Sequence, residues 1–331
     1  MASTAPIATV FGGSGFVGRY IVQGLARAGW RVRVAVRRPN EALFVRTYGS
    51  VGQVEPVQAN IRDTASTRAA CTGAEVVINC VGILFPDGKQ QFDAVQDEGA
   101  GRVASMARAE GVSRFVHISA IGANADSESD YARTKAAGEA AVLAEYPEAV
   151  ILRPSIVFGP EDGFFNRFAG MAKMSPALPV VGADTLFQPV YVDDVADAAV
   201  KAAVGEAAPG IYELGGPDTE SFRALMERML RIIRRRRLLL SLPFGLAKLQ
   251  GRVLNLIPVV TLGLVPNSLL TPDQVELLKS DNVVSDGAKS FADLGITPRD
   301  MDAILESYLY SYRPYGQYTA LTESAKNLRS E

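Results

Sequence analysis

The chain has 331 residues, of which 48% are hydrophobic and 21% charged, and its formal net charge is -2. That balance offers nucleic acid no field to grip, and the length allows one large α/β domain with a smaller appendage. Two cysteines, Cys71 and Cys80, cannot build a disulfide framework and fit a reducing compartment.

Short β-branched runs alternate with helical patterns through the first half, which predicts parallel βαβ units. Strands are expected at Ile7–Phe11, Arg31–Val36, Val54–Ala59, Val76–Cys80, Phe115–Ser119 and Val150–Leu152. Helices are expected at Phe16–Ala28, Thr64–Cys71, Val95–Glu110 and Tyr131–Glu145. In Arg31–Val36 arginine alternates with apolar residues, which predicts a strand with one polar face. Cys80 falls in an apolar run and reads as a buried small hydrophobe.

Beyond Pro160 the alternation weakens. A strand is expected at Phe187–Val192, then helices at Asp193–Val204 and Ser221–Ile233. The basic run Arg234–Arg237 would face anionic lipid or an acidic subunit, or would be a solvated turn into a strand at Leu238–Leu242. Leu246–Leu264 would be small-domain core or a partner surface; within it, Val253–Val265 is broken by Pro258 and is too short to span a membrane. From Ser311 the tail shows little core content and would wrap a partner or be loose. Met1–Pro6 is too short for a leader, so a bacterial cytoplasmic location is expected.

The chemistry starts where the first strand ends. Gly12, Gly13, Ser14, Gly15, Phe16, Val17 and Gly18 form a glycine-rich turn between a strand and a helix. Such a turn lets backbone amides at a helix N-terminus approach a pyrophosphate, and Gly18 allows close helix–strand packing. An acidic residue would select NAD at the end of the second strand; Arg37 and Arg38 stand there instead and suit the 2′-phosphate of NADPH or NADP. Asn60 and Ile61, ending the third strand, would lie near the adenine. Tyr131 and Lys135 fall at i and i+4 on one helix face, where the ammonium would favour a phenolate able to exchange a proton with a substrate oxygen. His117, the sole histidine, reads as a packed strand residue, without metal-ligand spacing around it.

These features resemble the extended or atypical branch of the short-chain dehydrogenase/reductase (SDR) superfamily. Asn79–Gly82, Arg153-Pro154, Phe158–Pro160 and Val192–Ala196 extend the likeness over about residues 7–310. The resemblance implies an α/β fold: a Rossmann-type doubly wound parallel sheet with a smaller C-terminal α/β subdomain and an extended tail. The expected division is 1–160 plus about 186–205 for the Rossmann domain, about 161–185 and 206–310 for the smaller part, and 311–331 for the tail. It further implies that Val81 and Gly82 line the cofactor, that Tyr131 and Lys135 are the catalytic pair with Lys135 on the nicotinamide ribose, and that Pro154 lies near the carboxamide. Active members carry a serine or threonine hydroxyl after the fifth strand. Here Ala120 takes that position, and Ser119 beside it would point to the opposite face.

Within that superfamily, Tyr131–Glu139, Pro147–Gly159 followed by Glu161-Asp162 and Phe165–Arg167, Leu270–Val284 and Tyr312–Tyr315 resemble the alpha-subcomplex subunit 9 family, an accessory subunit of respiratory complex I (NADH:ubiquinone oxidoreductase). The third segment and the tail are expected outside the cofactor site. This likeness implies a tightly held NADPH with a structural role, other complex I subunits as partners, contact with a membrane surface and a place on the cytoplasmic face of a bacterial inner membrane. An active NADPH-dependent reductase or epimerase, or a sensor of the NADPH/NADP ratio, are the competing expectations.

Overall fold

Alternation along β1 (Ile7–Phe11) sets the two-sided core. Ala8 and Val10 face one layer of helices, while Phe11 faces the other. Because side chains alternate across a strand, both faces must be covered, and both are. The computed structural model describes residues 5–245 and 271–318. Its main sheet has seven strands in the order β3-β2-β1-β4-β5-β6-β11, all parallel. These are β2 (Arg31–Val36), β3 (Val54–Gln58), β4 (Val76–Asn79), β5 (Arg114–Ile118), β6 (Val150–Pro154) and β11 (Gly210–Leu214). The order reverses between β1 and β4, and the crevice at such a switch point is where doubly wound sheets bind ligands.

On one face α1 (Phe16–Arg27) packs beside α6 (Val192–Val204), burying Ile21, Val22, Leu25, Val195 and Ala199. On the other lie α2 (Thr64–Cys71), α3 (Glu98–Ala109), entered through a π-turn at Asp93–Asp97, and α4 (Asp130–Glu145). Each fully buried Leu or Ile here contributes about 1.5–3 kcal/mol.

A second core gathers α5 (Phe165–Met174), β8 (Ala177–Val181), α7 (Phe222–Ile232) and α9 (Met301–Leu309) around Phe158, Phe165, Leu225, Met229 and Leu305. The two-residue strands β7 (Val157–Phe158), β9 (Leu186–Phe187), β10 (Val190–Tyr191) and β12 (Glu220–Ser221) link it to the main sheet. Strand β13 (Leu238–Leu242) pairs in parallel with β8, and α8 (Pro272–Leu277) opens on a capping box of Thr271 and Gln274.

Several expectations are corrected. Gly210–Leu214, expected in the smaller part, completes the main sheet against β6. The strand expected at Phe187–Val192 is two short strands, with Val192 already in α6. The expected polar face of β2 is present: Arg31 is exposed, and Arg33 Nη1 donates to Ala70 O at 2.6 Å and Thr72 O at 3.0 Å, carbonyls at the end of α2 that need donors. Of the tail, 311–318 forms short 3-10 turns fastened to the second core. Tyr312 OH bonds Asn166 Oδ1, and Arg235 and Arg313 donate to the carbonyls of Tyr312 and Ile232. The apolar segment Leu246–Leu264 and residues 319–331 lie outside the described residues.

Candidate functional site

The glycine turn sits at the C-terminal end of β1, pinned by Gly12 N to Ala35 O at 3.0 Å and Gly15 N to Gly12 O at 2.9 Å. Gly12 has φ +74°, which favours glycine, and a Cβ on Gly18 would stand 2.4 Å from Gly12 O. Ser14, Gly15, Phe16 and Val17 open α1, so their amides head a helix. The turn is therefore shaped for close backbone approach by a phosphate group.

Next to it, at the end of β4, Asn79 Oδ1 accepts from Val81 N at 3.1 Å, and a Cβ on Gly12 would meet Val81 Cγ2 at 3.2 Å. Gly82 faces α4: a Cβ there would lie 3.3 Å from Lys135 Nζ. Lys135 Nζ donates to Ile118 O at 3.3 Å, and Ser119 N and Ile121 N bond Leu152 O and Pro154 O. So the turn, Val81, Gly82, Ser119, Lys135 and Pro154 gather along one edge of β1, β4, β5 and β6. Asn60 and Ile61 stand at the end of β3, where Asn60 Oδ1 holds Arg62 N and Ile61 packs beside Gly99. At the end of β2 only half of the expected fork is available. Arg38 pairs with Glu41 at 3.1 Å, while Arg37 is exposed and has no ion pair among the described residues.

Tyr131 and Lys135 do share one face of α4, with Nζ 6.0 Å from the ring centroid. The expected phenolate is corrected. Burial, with help from the Asp273 carboxylate, pushes the Tyr131 phenol up to about 12. Burial also pulls the Lys135 ammonium down to about 8, against Glu139 and Cys80. Desolvation disfavours both charges and is the largest cause of each shift.

The buried groups behind the pair are polar and in part unpartnered. His117 Nδ1 meets Asn79 Nδ2 at 3.3 Å, while His117 Nε2, Ser119 Oγ and Gln96 Oε1 have no hydrogen-bond partner among the described residues. Alternation places Ser119 on the same side as His117, the side covered by α4. Ala120 offers no hydroxyl. Cys80 is half-buried, and burial pushes its thiol up to about 12, which suits a packing role.

Three contributions escaped the sequence reading. Asp273 in α8 accepts from Ser129 Oγ at 3.0 Å and from the amides of Asp130 and Tyr131 at 2.7 and 3.4 Å, so it caps α4. Asn282 bonds Ser155 Oγ at 2.7 Å and Ile121 O at 3.3 Å. The segment expected outside the site thus borders it, through contacts that lie more than a hundred residues apart in sequence. Arg19, just after Gly18, reaches Glu161 at 3.4 Å. Among the described residues no group of His, Cys, Asp and Glu could hold a metal, and no helix is long and apolar enough to cross a membrane.

A family profile described as the NAD dependent epimerase/dehydratase family matches residues 8–215. The chain belongs to that family. It is 36% identical over 326 residues to the Arabidopsis thaliana mitochondrial NADH dehydrogenase [ubiquinone] 1 alpha subcomplex subunit 9, covering 97% of this chain and 81% of that one. It is also 36% identical over 190 residues to a ceramide reductase of Caulobacter vibrioides, covering 57% of this chain and 58% of that one. Among solved structures, the Bordetella bronchiseptica enzyme WbmG in complex with NAD has a TM-score of 0.66 at 14% identity, covering 94% of each chain. The Rossmann-type extended SDR architecture is thereby established. The bacterial cytoplasmic location is corrected: the relatives matched along nearly the whole chain are named mitochondrial. The short stretch before β1, on which that expectation leaned, carries no information about location.

Proposed function

We propose that this chain binds NADPH and serves as a nucleotide-binding accessory subunit of NADH:ubiquinone oxidoreductase, holding the cofactor as a structural group. The observation that carries the reading is the similarity to subunit 9 along 97% of the chain, including the C-terminal part that a nucleotide site alone does not require. The residues present fit a dinucleotide. At Gly12 a φ of +74° and at Gly18 a 2.4 Å approach to Gly12 O both call for glycine in the turn that would meet a diphosphate, and Ser119 Oγ and Gln96 Oε1 lack partners among the described residues.

In this reading Gly12–Gly18 hold the diphosphate, and Arg37 with Arg38 released from Glu41 meets the 2′-phosphate. Asn60 and Ile61 border the adenine; Val81, Gly82 and Pro154 line the nicotinamide half; Lys135 and Ser119 offer donors to its ribose. The bound nucleotide would supply a hydride. The chain lacks one group to use it, because Ala120 offers no hydroxyl to orient a carbonyl; losing one such donor costs ~10²–10³ in rate. The chain would divide into a Rossmann part, residues 1–160, about 186–205 and 210–214, and a smaller part built on the second core. The basic run Arg234–Arg237, which leads into β13, would face a membrane surface or an acidic subunit.

Gentle detergent extraction tests this: the chain should travel with complex I subunits and carry NADPH that added carbonyl compounds leave unoxidised. Recovery solely as a soluble homodimer would count against it. A second reading, an active NADPH-dependent reductase, is favoured by the Tyr131–Lys135 pair and by the similarity to a ceramide reductase. It requires turnover that Tyr131→Phe lowers by ~10² or more; a broad carbonyl panel without turnover ends it.

A further inference from the structure

Arg19 directly follows the glycine turn, and the motif itself does not require it. It belongs to the first turns of α1, where side chains lean toward the helix N-terminus. Its guanidinium folds back on the turn: Nη2 lies 3.3 Å from Ser14 O and Nε 3.3 Å from Gly15 O. The ring of Phe44 lies below it, 5.1 Å from centroid to Cζ. Phe44 sits in the helical stretch Pro39–Tyr48, which starts just beyond Arg37 and Arg38. On its other side, Nη1 lies 3.4 Å from Glu161 Oε1, and Glu161 Oε2 accepts from Tyr20 OH at 2.7 Å. Glu161 follows β7, close to where Gly159 packs on Phe16.

Arg19 therefore bridges the segment after β2 and the segment after β7, across the helix end where phosphates are drawn. Its present partners use the charge poorly. Two are carbonyls, one is a ring, and the single carboxylate is 42% exposed. A guanidinium pairs best with two coplanar oxygens, which a diphosphate presents and this arrangement does not.

We propose that Arg19 grips the diphosphate of the bound dinucleotide and that Glu161 is its placeholder when nucleotide is absent. The inference rests on the reading that a dinucleotide binds at the glycine turn. It has a consequence that a simple staple between α1 and the 159–162 segment lacks. Arg19 attracts the diphosphate and Glu161 repels it, so removing each should move affinity in opposite directions although the two are paired.

The test is calorimetric titration of the full chain with NADPH, NADH and ADP-ribose, at low and high salt. Arg19→Met should weaken all three ligands alike, by about tenfold or more, and flatten the salt dependence. Glu161→Gln should tighten all three by a few-fold. Arg19→Lys should recover part of the loss, which separates lost charge from a misfolded helix. Unchanged binding in Arg19→Met, or weakening by both Arg19→Met and Glu161→Gln, overturns the inference while leaving the nucleotide site standing. A loss confined to NADPH overturns the diphosphate assignment in favour of the 2′-phosphate. If the unaltered chain binds none of the three, the nucleotide reading falls and this inference with it.

Discussion

Asp273 and Tyr131, 142 positions apart in the chain, are joined at the head of α4: the Asp273 carboxylate accepts from the Tyr131 amide at 3.4 Å. The same carboxylate takes the Asp130 amide and the Ser129 hydroxyl, so it satisfies donors that a helix start leaves bare and meets the positive end of the helix dipole. Removing it with Asp273→Ala should cost about 1–2 kcal/mol of stability, the range for losing a cap. Tyr131 should also ionise at lower pH, because a negative neighbour has gone. Denaturant unfolding gives the first quantity, and tyrosinate absorbance compared with Asp273→Ala/Tyr131→Phe gives the second. Unchanged values for both would mean the contact is incidental.

Arg153 is the second long-range fastener. It holds Glu139 of α4 at 2.6 Å and Glu213 of β11 at 3.5 Å, and both carboxylates are buried. Arg153→Met would strand two buried negative charges, which should cost about 3–5 kcal/mol. Adding Glu213→Gln should restore part of that loss. A melting temperature within a degree of the unaltered chain would contradict this.

His117 sets an acid limit. It is buried, accepts from Asn79 in its neutral form, and is pulled by burial down to about 3 from an ordinary 6.5. A depressed folded-state value means that the stability it confers is complete above pH 6.5 and is lost as pH falls toward 3. Between pH 6.5 and 5 the loss should be about 1–2 kcal/mol. Urea unfolding at those two pH values should show it, and His117→Gln should flatten that part of the profile. An equal slope in the variant would assign the acid loss to carboxylates.

The glycine turn makes a steric prediction. An alanine at Gly18 would put its Cβ 2.4 Å from Gly12 O, a backbone atom that cannot swing away. Gly18→Ala should cost about 1–3 kcal/mol and weaken nucleotide binding along with it. Gly163→Ala, where a Cβ meets nothing within 4 Å, is the control.

The first six strands of the sheet and the glycine turn were legible in the sequence because they follow local rules: short β-branched runs for strands buried on both faces, and glycine where the backbone must turn tightly. β11 was not, since Ile211–Leu214 is short, is bracketed by Gly210 and Gly215, and carries Glu213, whose burial makes sense only beside Arg153. The spacing of Tyr131 and Lys135 read true, but the phenolate did not, because burial and Asp273 raise the Tyr131 phenol from outside the helix. The polar face of β2 was legible, but not that Arg33 on it serves the carbonyls at the end of α2. What sequence patterns miss here is the three-dimensional partner of a charged group.

The account turns on a nucleotide held at the Gly12–Gly18 turn, with the 2′-phosphate read by Arg37. The direct measurement is the nucleotide released on denaturing chain purified at low salt, paired with thermal unfolding in added NADPH or NADH. The account predicts about one NADPH or NADP per chain, and a rise in melting temperature that is larger for NADPH and shrinks in Arg37→Ala. An empty chain whose melting temperature ignores added NADPH would contradict it.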